Sequence, residues 1–249
     1  MKKLIALLLA LTMIFAFAAC AKAPAKEETK TLTMACSADF PPYEFVNDDG
    51  SYAGIDVDIA QAICDKLGYK LEVKDMDFDG IIAAVESGAV SFGMSGLTIT
   101  DERKESVNFS DSYAKGVQVI LVKEDSEIAT VDDLDGAKIG VQAGTTGDIY
   151  CTGDYGEDSV SQYTKYAMAV EALKNDQVDC VVLDNEPAKA FVEANEGLKV
   201  LDTAYADEDY AAAFNKNDTE LLEQFNKALG ELKADGTLDQ IVDKYINAK

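Results

Sequence analysis

Ser95-Gly96-Leu97-Thr98-Ile99-Thr100-Asp101-Glu102-Arg103-Lys104-Glu105-Ser106-Val107-Asn108-Phe109-Ser110-Asp111-Ser112-Tyr113 sets one arginine just beyond a buried strand. The apolar run from Val90 to Met94 reads as that strand. Thr100 can cap the helix that follows, and Asp101 and Glu102 fall in its first turn, where the helix dipole favours acids. The carboxyl end of the strand therefore opens onto a polar rim. Ligands of open parallel sheets bind at such ends, and a guanidinium there offers a planar fork that matches a carboxylate with two parallel hydrogen bonds. The competing reading is a solvated Arg103 paired with Glu102 or Glu105.

At 249 residues with 48% hydrophobic content, two globular lobes with separate cores are expected. The net charge of −24 repels a phosphate backbone, so no nucleic-acid partner is expected. The chain contains no histidine. That removes the commonest general base, the imidazole metal ligand and every Ser-His or Cys-His nucleophile arrangement.

Residues 1–20 open with Lys2 and Lys3 and continue as an apolar run, the pattern of a signal peptide. Residues 21–30, rich in Ala, Lys and Glu, read as a tether. From Thr31 onward, short strands alternate with amphipathic helices, which points to α/β lobes built on parallel sheets. Expected strands are Thr31 to Ala35, Lys70 to Lys74 and Val90 to Met94, then Gln118 to Lys123, Lys138 to Gln142 and Val178 to Leu183. Ile59, Ala62, Ile63 and Leu67 share one helical face that stops at Gly68, and a second helix is expected from Phe78 to Glu86. Further helices begin near Thr145, Tyr166 and Glu186. Two terminal helices carry the apolar stripes Leu222, Phe225, Leu229, Leu232 and Leu238, Ile241, Val242, Tyr245, Ile246, which need the first lobe as partner.

Phe40-Pro41-Pro42-Tyr43-Glu44-Phe45, Gly54-Ile55-Asp56-Val57-Asp58, Phe78-Asp79, Thr98 to Arg103, Phe109-Ser110-Asp111-Ser112-Tyr113 and Gly144-Thr145-Thr146 occur in one order and spacing. Together they resemble the family 3 solute-binding proteins of bacterial amino-acid ABC importers, from about Thr31 to the end. The resemblance implies a type II periplasmic-binding-protein fold, with 31–114 plus 212–249 as lobe one, 115–211 as lobe two, and two hinge strands crossing between them. It also implies a free L-amino acid as ligand, an ABC permease as partner, a monomer and no cofactor. Phe17-Ala18-Ala19-Cys20 resembles a lipobox whose Cys20 takes a membrane-anchoring lipid outside the cytoplasm, although Phe17 departs from the usual Leu and plain cleavage after Ala18 is the rival.

Carried over to this chain, Arg103 would hold the ligand's α-carboxylate, with Ser95, backbone at Gly96, and the Thr98 hydroxyl. Thr145 and Thr146 would complete that clamp from lobe two, in keeping with a Gly-Thr-Thr turn that aims helix amides at an anion; a simple helix cap is the alternative. Asp184 would take the α-ammonium, or else cap the helix after it. Phe40 and Phe78 would sandwich the ligand side chain, whereas Tyr43 and Phe45 read as core. Ser37 stands where relatives commonly carry Asp, so Ser37 and Gln142 are the candidates for side-chain selection, with neutral polar ligands ranked first, basic second and acidic last. The competing functions are a cyclohexadienyl or arogenate dehydratase-like enzyme, for which Glu44 or Asp39 would be the proton donor, and a sensory lobe. Cys36, Cys64, Cys151 and Cys180 could form two disulfides or remain buried thiols.

Overall fold

The computed structural model describes residues 30–246, so the expected leader, Cys20 and the tether up to residue 29 lie outside the described residues. The first half of the chain runs β1 (Thr31–Cys36), β2 (Asp39–Phe40), β3 (Glu44–Val46), β4 (Tyr52–Ala53), α1 (Ile55–Leu67) and β5 (Lys70–Asp75). A 3-10 turn at Phe78–Gly80 then leads into α2 (Ile81–Glu86), followed by β6 (Phe92–Gly93), α3 (Asp101–Ser106) and β7 (Val107–Phe109). The second half begins with β8 (Ala114–Lys123), β9 (Ile139–Gln142), α4 (Thr146–Tyr155), β10 (Val160–Tyr163), α5 (Tyr166–Lys174) and β11 (Cys180–Asp184). It closes with α6 (Asn185–Ala194), β12 (Leu198–Tyr210), β13 (Ala213–Asn215), α7 (Thr219–Ala234) and α8 (Thr237–Ile246).

Local chemistry accounts for the helix boundaries that matter here. In α1, Asp56 and Asp58 occupy the first turn, Lys66 the last, and Gly68 ends the helix in the left-handed conformation at φ 75. In α3, the Thr100 side chain accepts from the Arg103 amide and so acts as the expected cap. The expected helix from Phe78 instead starts as a 3-10 turn, and the strand expected at Val90 to Met94 narrows to Phe92–Gly93. Only Phe92 and Gly93 pair with β1, opposite Met34 and Ala35.

Two five-stranded sheets form, ordered β5-β1-β6-β13-β7 and β10-β9-β11-β8-β12, with a small β2-β3-β4 sheet beside the first. Neither large sheet is wholly parallel, contrary to the sequence reading. β13 runs antiparallel to both β6 and β7, and β8 runs antiparallel to β11 and β12. The reason is topological: the chain leaves the first sheet after β7 and returns to it as β13, so the returning strand arrives from the opposite direction. The outgoing β8 and the returning β12 pair side by side, with Ala114 opposite Tyr210. Tyr113 N donates to Tyr210 O at 2.9 Å, Ala211 N to Leu97 O at 3.0 Å and Ile99 N to Asp209 O at 3.0 Å, tying this double crossing to the segment before α3.

The first unit takes its core from both ends of the chain. Phe92 stacks on Phe214 at 5.7 Å, and Phe225 from α7 lies 5.7 Å and 5.1 Å from those rings. α7 packs on α1 and β13, and α8 packs on α1 and α7. In α7 the fully covered apolar face runs Leu221, Phe225, Ala228, Leu229, Leu232, with Leu222 only half-buried; in α8, Leu238 is buried and Ile246 exposed. Cys36, Cys64, Cys151 and Cys180 are free and buried. Burial pushes the Cys64 thiol up to about 11 and Cys151 up to about 12, so both are neutral packing groups. Because Phe225 joins the C-terminal helices to a core formed largely by the first 110 residues, Phe225→Ala should cost about 3–5 kcal/mol. Denaturant unfolding checks this; a loss below 1 kcal/mol would mean that α7 contributes little to that core.

Candidate functional site

Between the two large sheets lies a narrow cavity. Ser37, Phe40, Phe78, Ser95, Gly96, Thr98 and Arg103 line it from the first unit, and Gln142, Thr145, Thr146 and Asp184 from the second. The structure thus brings together every residue singled out for ligand binding and side-chain selection within the described range, but not Glu44 or Asp39, the proton-donor candidates of the enzyme alternative. It adds Tyr166, the first residue of α5, which the sequence reading did not select.

Arg103 is buried at 7% exposure. Its Nη1 donates to Thr98 O at 2.8 Å, and its Nη2 donates to Gly144 O at 3.0 Å, across the cleft. The guanidinium also stands 5.5 Å from the centre of the Phe78 ring. Among the described residues no carboxylate lies within ion-pair distance of it, so the solvated ion pair with Glu102 or Glu105 is not what the structure contains. Burial pulls its pKa down, and the negative charge of Glu208 works in the opposite direction. A cation whose hydrogen bonds go to two neutral carbonyls keeps most of its charge unmatched, with three further N–H donors on the fork.

The opposite charge is also present. Asp184 is the last residue of β11 and makes no side-chain bond to the helix behind it, so its role is not that of a cap. Its Oδ1 accepts from the Tyr210 hydroxyl. Burial first, and then the charge of Glu208, push the Asp184 carboxyl up to about 7. Glu208 is itself buried, and its Oε2 accepts from Thr98 Oγ1 and Gln118 Nε2, both at 3.0 Å, while Oε1 has no partner. Thr98 therefore serves Arg103 through its carbonyl, and its hydroxyl proton goes to Glu208. Glu208 escaped the sequence reading because it sits in the polar run Asp207-Glu208-Asp209, which resembles a solvated loop until β12 pairs with β8.

The floor of the cavity rests on a second pair of buried acids. Ser95 Oγ donates to Glu44 Oε1 at 2.5 Å and accepts from Ser37 N at 2.9 Å, so its hydroxyl proton is committed. Gly96 N donates to Asp56 Oδ2 at 2.9 Å, and the Tyr113 hydroxyl donates to the same oxygen at 2.7 Å. Gly96 has φ +54, and a Cβ there would stand 2.7 Å from the Phe40 ring, so only glycine lets that ring close over the floor. Glu44 and Asp56 are wholly buried and face one another. Burial and mutual repulsion raise Glu44 well above the usual carboxylate range, and burial pushes Asp56 up to about 7, so the pair holds an extra proton near neutrality.

The remaining walls are apolar or helix-terminal. Phe40 stacks on Tyr166 at 5.9 Å across the cleft, and Phe78 lies under the guanidinium. Thr145 caps α4, donating to Gln142 O at 2.8 Å and accepting from Asp148 N at 3.3 Å. Thr146 is the first residue of the helix, where amides have no intrahelical partner. Gly144 has φ +75, and a Cβ there would lie 3.0 Å from Asp79 Cα of the other unit, so the Gly-Thr-Thr turn is a close crossing as well as a cap. Ser37 and Gln142 meet across the cleft at 3.4 Å. No cluster of three or more metal-ligating side chains occurs among the described residues.

A cleft between two α/β units, carrying a buried cation, buried carboxylates and an aromatic wall, defines a two-lobed solute-binding protein. A sequence profile of the bacterial extracellular solute-binding proteins, family 3, matches residues 32–248, and the chain belongs to that family. It is 34% identical over 260 residues to the arginine-binding extracellular protein ArtP of Bacillus subtilis, covering 100% of both chains. It is 33% identical to a probable histidine-binding protein of Neisseria gonorrhoeae, covering 98% of this chain and 96% of the other. Among solved structures, an ancestral arginine-binding protein bound to glutamine superposes with a TM-score of 0.83 at 42% identity, covering 88% of this chain and 98% of that one. The arginine-, lysine-, histidine-binding protein ArtJ of Geobacillus stearothermophilus does so with a TM-score of 0.83 at 34% identity, covering 88% and 96%. The fold is the type II periplasmic-binding-protein fold that the sequence resemblance implies.

The acid pair under the floor makes stability depend on pH. The folded pair holds protons more tightly than the unfolded chain, so its contribution is full below the ordinary Asp value of 3.8 and is lost as pH rises through about 7. Glu44→Gln keeps a donor toward Asp56 and removes one titrating group. Melting curves of parent and variant should therefore diverge between pH 4.5 and 8.5, with the variant gaining on the parent at the alkaline end. Parallel curves would show that the pair carries no shared proton.

Proposed function

We propose that this chain is the substrate-binding component of an amino-acid ABC importer, which captures an L-amino acid between lobes 31–114 plus 212–249 and 115–211 and delivers it to a permease. The observation that carries the reading is the separation of unmatched charge in one cavity: the Arg103 guanidinium bonded only to carbonyls, and the buried Asp184 beside Glu208. An α-carboxylate answers the first and an α-ammonium the second, with Thr145 and Thr146 beside Arg103 at the carboxylate and Phe40, Phe78 and Tyr166 around the side chain; Ser95, Gly96 and Thr98 line the same end, but their donors are already given to Glu44, Asp56 and Glu208. The names of the relatives support the class, since arginine, histidine and glutamine share this head group and a polar side chain. The dehydratase alternative is disfavoured by geometry. Glu44 lies beneath Ser95 and Asp39 is held by Lys165 and the Tyr166 amide, and neither lines the cavity. Cys20, as a lipidated first residue, would hold the chain at the outer face of the cell membrane.

A thermal-shift screen of the twenty L-amino acids tests this directly. A true ligand at a hundred times its Kd should stabilise the protein by about 2.7 kcal/mol, without product formation; a screen in which none of the twenty shifts the melt sinks the reading. Arg103→Lys should weaken binding of that ligand by about 2–5 kcal/mol, because an ammonium cannot reproduce the two-point contact. Calorimetry returning the parental Kd would remove Arg103 from the site.

A further inference from the structure

Ser37 lines the cavity, but the charges that govern it stand behind the wall. Lys165 Nζ, from the second unit, donates to Ser37 Oγ at 2.9 Å and lies 3.6 Å from the carboxylates of both Asp39 and Asp75, which belong to the first. Ser37 Oγ in turn donates to Asp39 Oδ1 at 2.9 Å, and the other oxygen of Asp39 accepts the Tyr166 amide at 3.1 Å. Asp75 accepts the Ala38 amide at 2.9 Å. None of the three charged residues lines the cavity itself. The Lys165 and Asp39 side chains are 27% and 19% exposed, so solvent screens this cluster only in part.

The hydroxyl at the cavity wall is therefore polarised by a resident ammonium on one side and a carboxylate on the other. With Lys165 in place the cluster carries a net charge of one minus; without it the same cluster would carry two, directly behind Ser37. A cationic side chain that reached Ser37 would stand beside an ammonium already holding both carboxylates, whereas an amide or hydroxyl would meet no such repulsion. We propose that Lys165 is a specificity-determining residue, a built-in cation that occupies the Asp39 and Asp75 carboxylates and tilts the site toward amino acids with neutral polar side chains over cationic ones. The inference rests on the amino-acid-binding reading above and goes beyond it by naming the side-chain class and the residue that sets it. A bridge that merely latched the two units would act on every ligand alike. A counter-ion role acts on the ratio between ligands.

The test is calorimetry on the full chain and on Lys165→Met at pH 8, with L-glutamine and L-arginine as probes and a melting curve to verify folding. The variant should shift the ratio of the two Kd values at least tenfold in favour of arginine, Lys165→Arg should leave it near the parental value, and adding Asp39→Asn to Lys165→Met should reverse most of the gain. A shift of less than tenfold, or one toward glutamine, overturns the proposal, as does a gain that survives Asp39→Asn. If the parent binds some amino acid while the ratio stays put, this inference alone fails. If the parent binds none of the twenty, the amino-acid-binding reading fails with it.

Discussion

A guanidinium held away from water without a carboxylate partner is the constraint on which the rest of this structure depends. Burying a charge with incomplete compensation is costly, and the chain meets part of that cost with two backbone carbonyls from two different units. Thr98 O is supplied just before α3, whose Thr100 cap fixes where Arg103 leaves the helix. Gly144 O comes from the opposite side of the cleft, where a positive φ lets the turn approach within van der Waals distance of Asp79. The bond to Gly144 O therefore both spans the cleft and engages Arg103, and an anion seated on the remaining donors of the fork would be felt by both units at once.

The acidity of the chain is handled in two ways within a short distance. Glu44 and Asp56 sit inside the first unit, surrounded by donors from Ser95, Gly96 and Tyr113, and face each other, so burial and mutual repulsion favour a retained proton on the pair. Asp184 lines the cleft and Glu208 lies buried behind Thr98, with Tyr210, Thr98 and Gln118 as donors and one Glu208 oxygen left over. The first pair supports the floor on which Gly96 lies under Phe40. The second offers negative charge to whatever enters. Tyr210 links the two arrangements, because its carbonyl accepts from the amide of Tyr113, whose hydroxyl donates to Asp56, and its own hydroxyl donates to Asp184.

Much of this was legible in the sequence because it depends on neighbours along the chain. The Thr100 cap, the Gly68 stop of α1, the Thr145 start of α4 and the apolar stripes of the C-terminal helices follow from residues three or four positions apart. The lining residues Ser37, Phe40, Phe78, Ser95, Gly96, Thr98, Arg103, Gln142, Thr145, Thr146 and Asp184 were legible chiefly through the resemblance to the family 3 solute-binding proteins, with local physical support at Arg103, at the Gly-Thr-Thr turn and at Asp184. The sequence by itself therefore determined most helices and their ends, the overall negative charge and the residue types that could meet at a cleft.

Tertiary structure decided what depends on partners remote in sequence. β12 is paired only because β8 lies beside it; its own residues, from Asp202 to Asp209, are mostly polar and carry register shifts, so no alternation marks them as a strand. The antiparallel placement of β13 follows from the return crossing, which no local period encodes. Glu208, Tyr166 and Lys165 acquire their roles through contacts with residues 110, 126 and 128 positions away, at Thr98, Phe40 and Ser37. The four buried cysteines show the same division: their small apolar surroundings could be read from the chain, but whether two sulfurs meet is a distance between elements, and distances between elements exist only once the fold has formed.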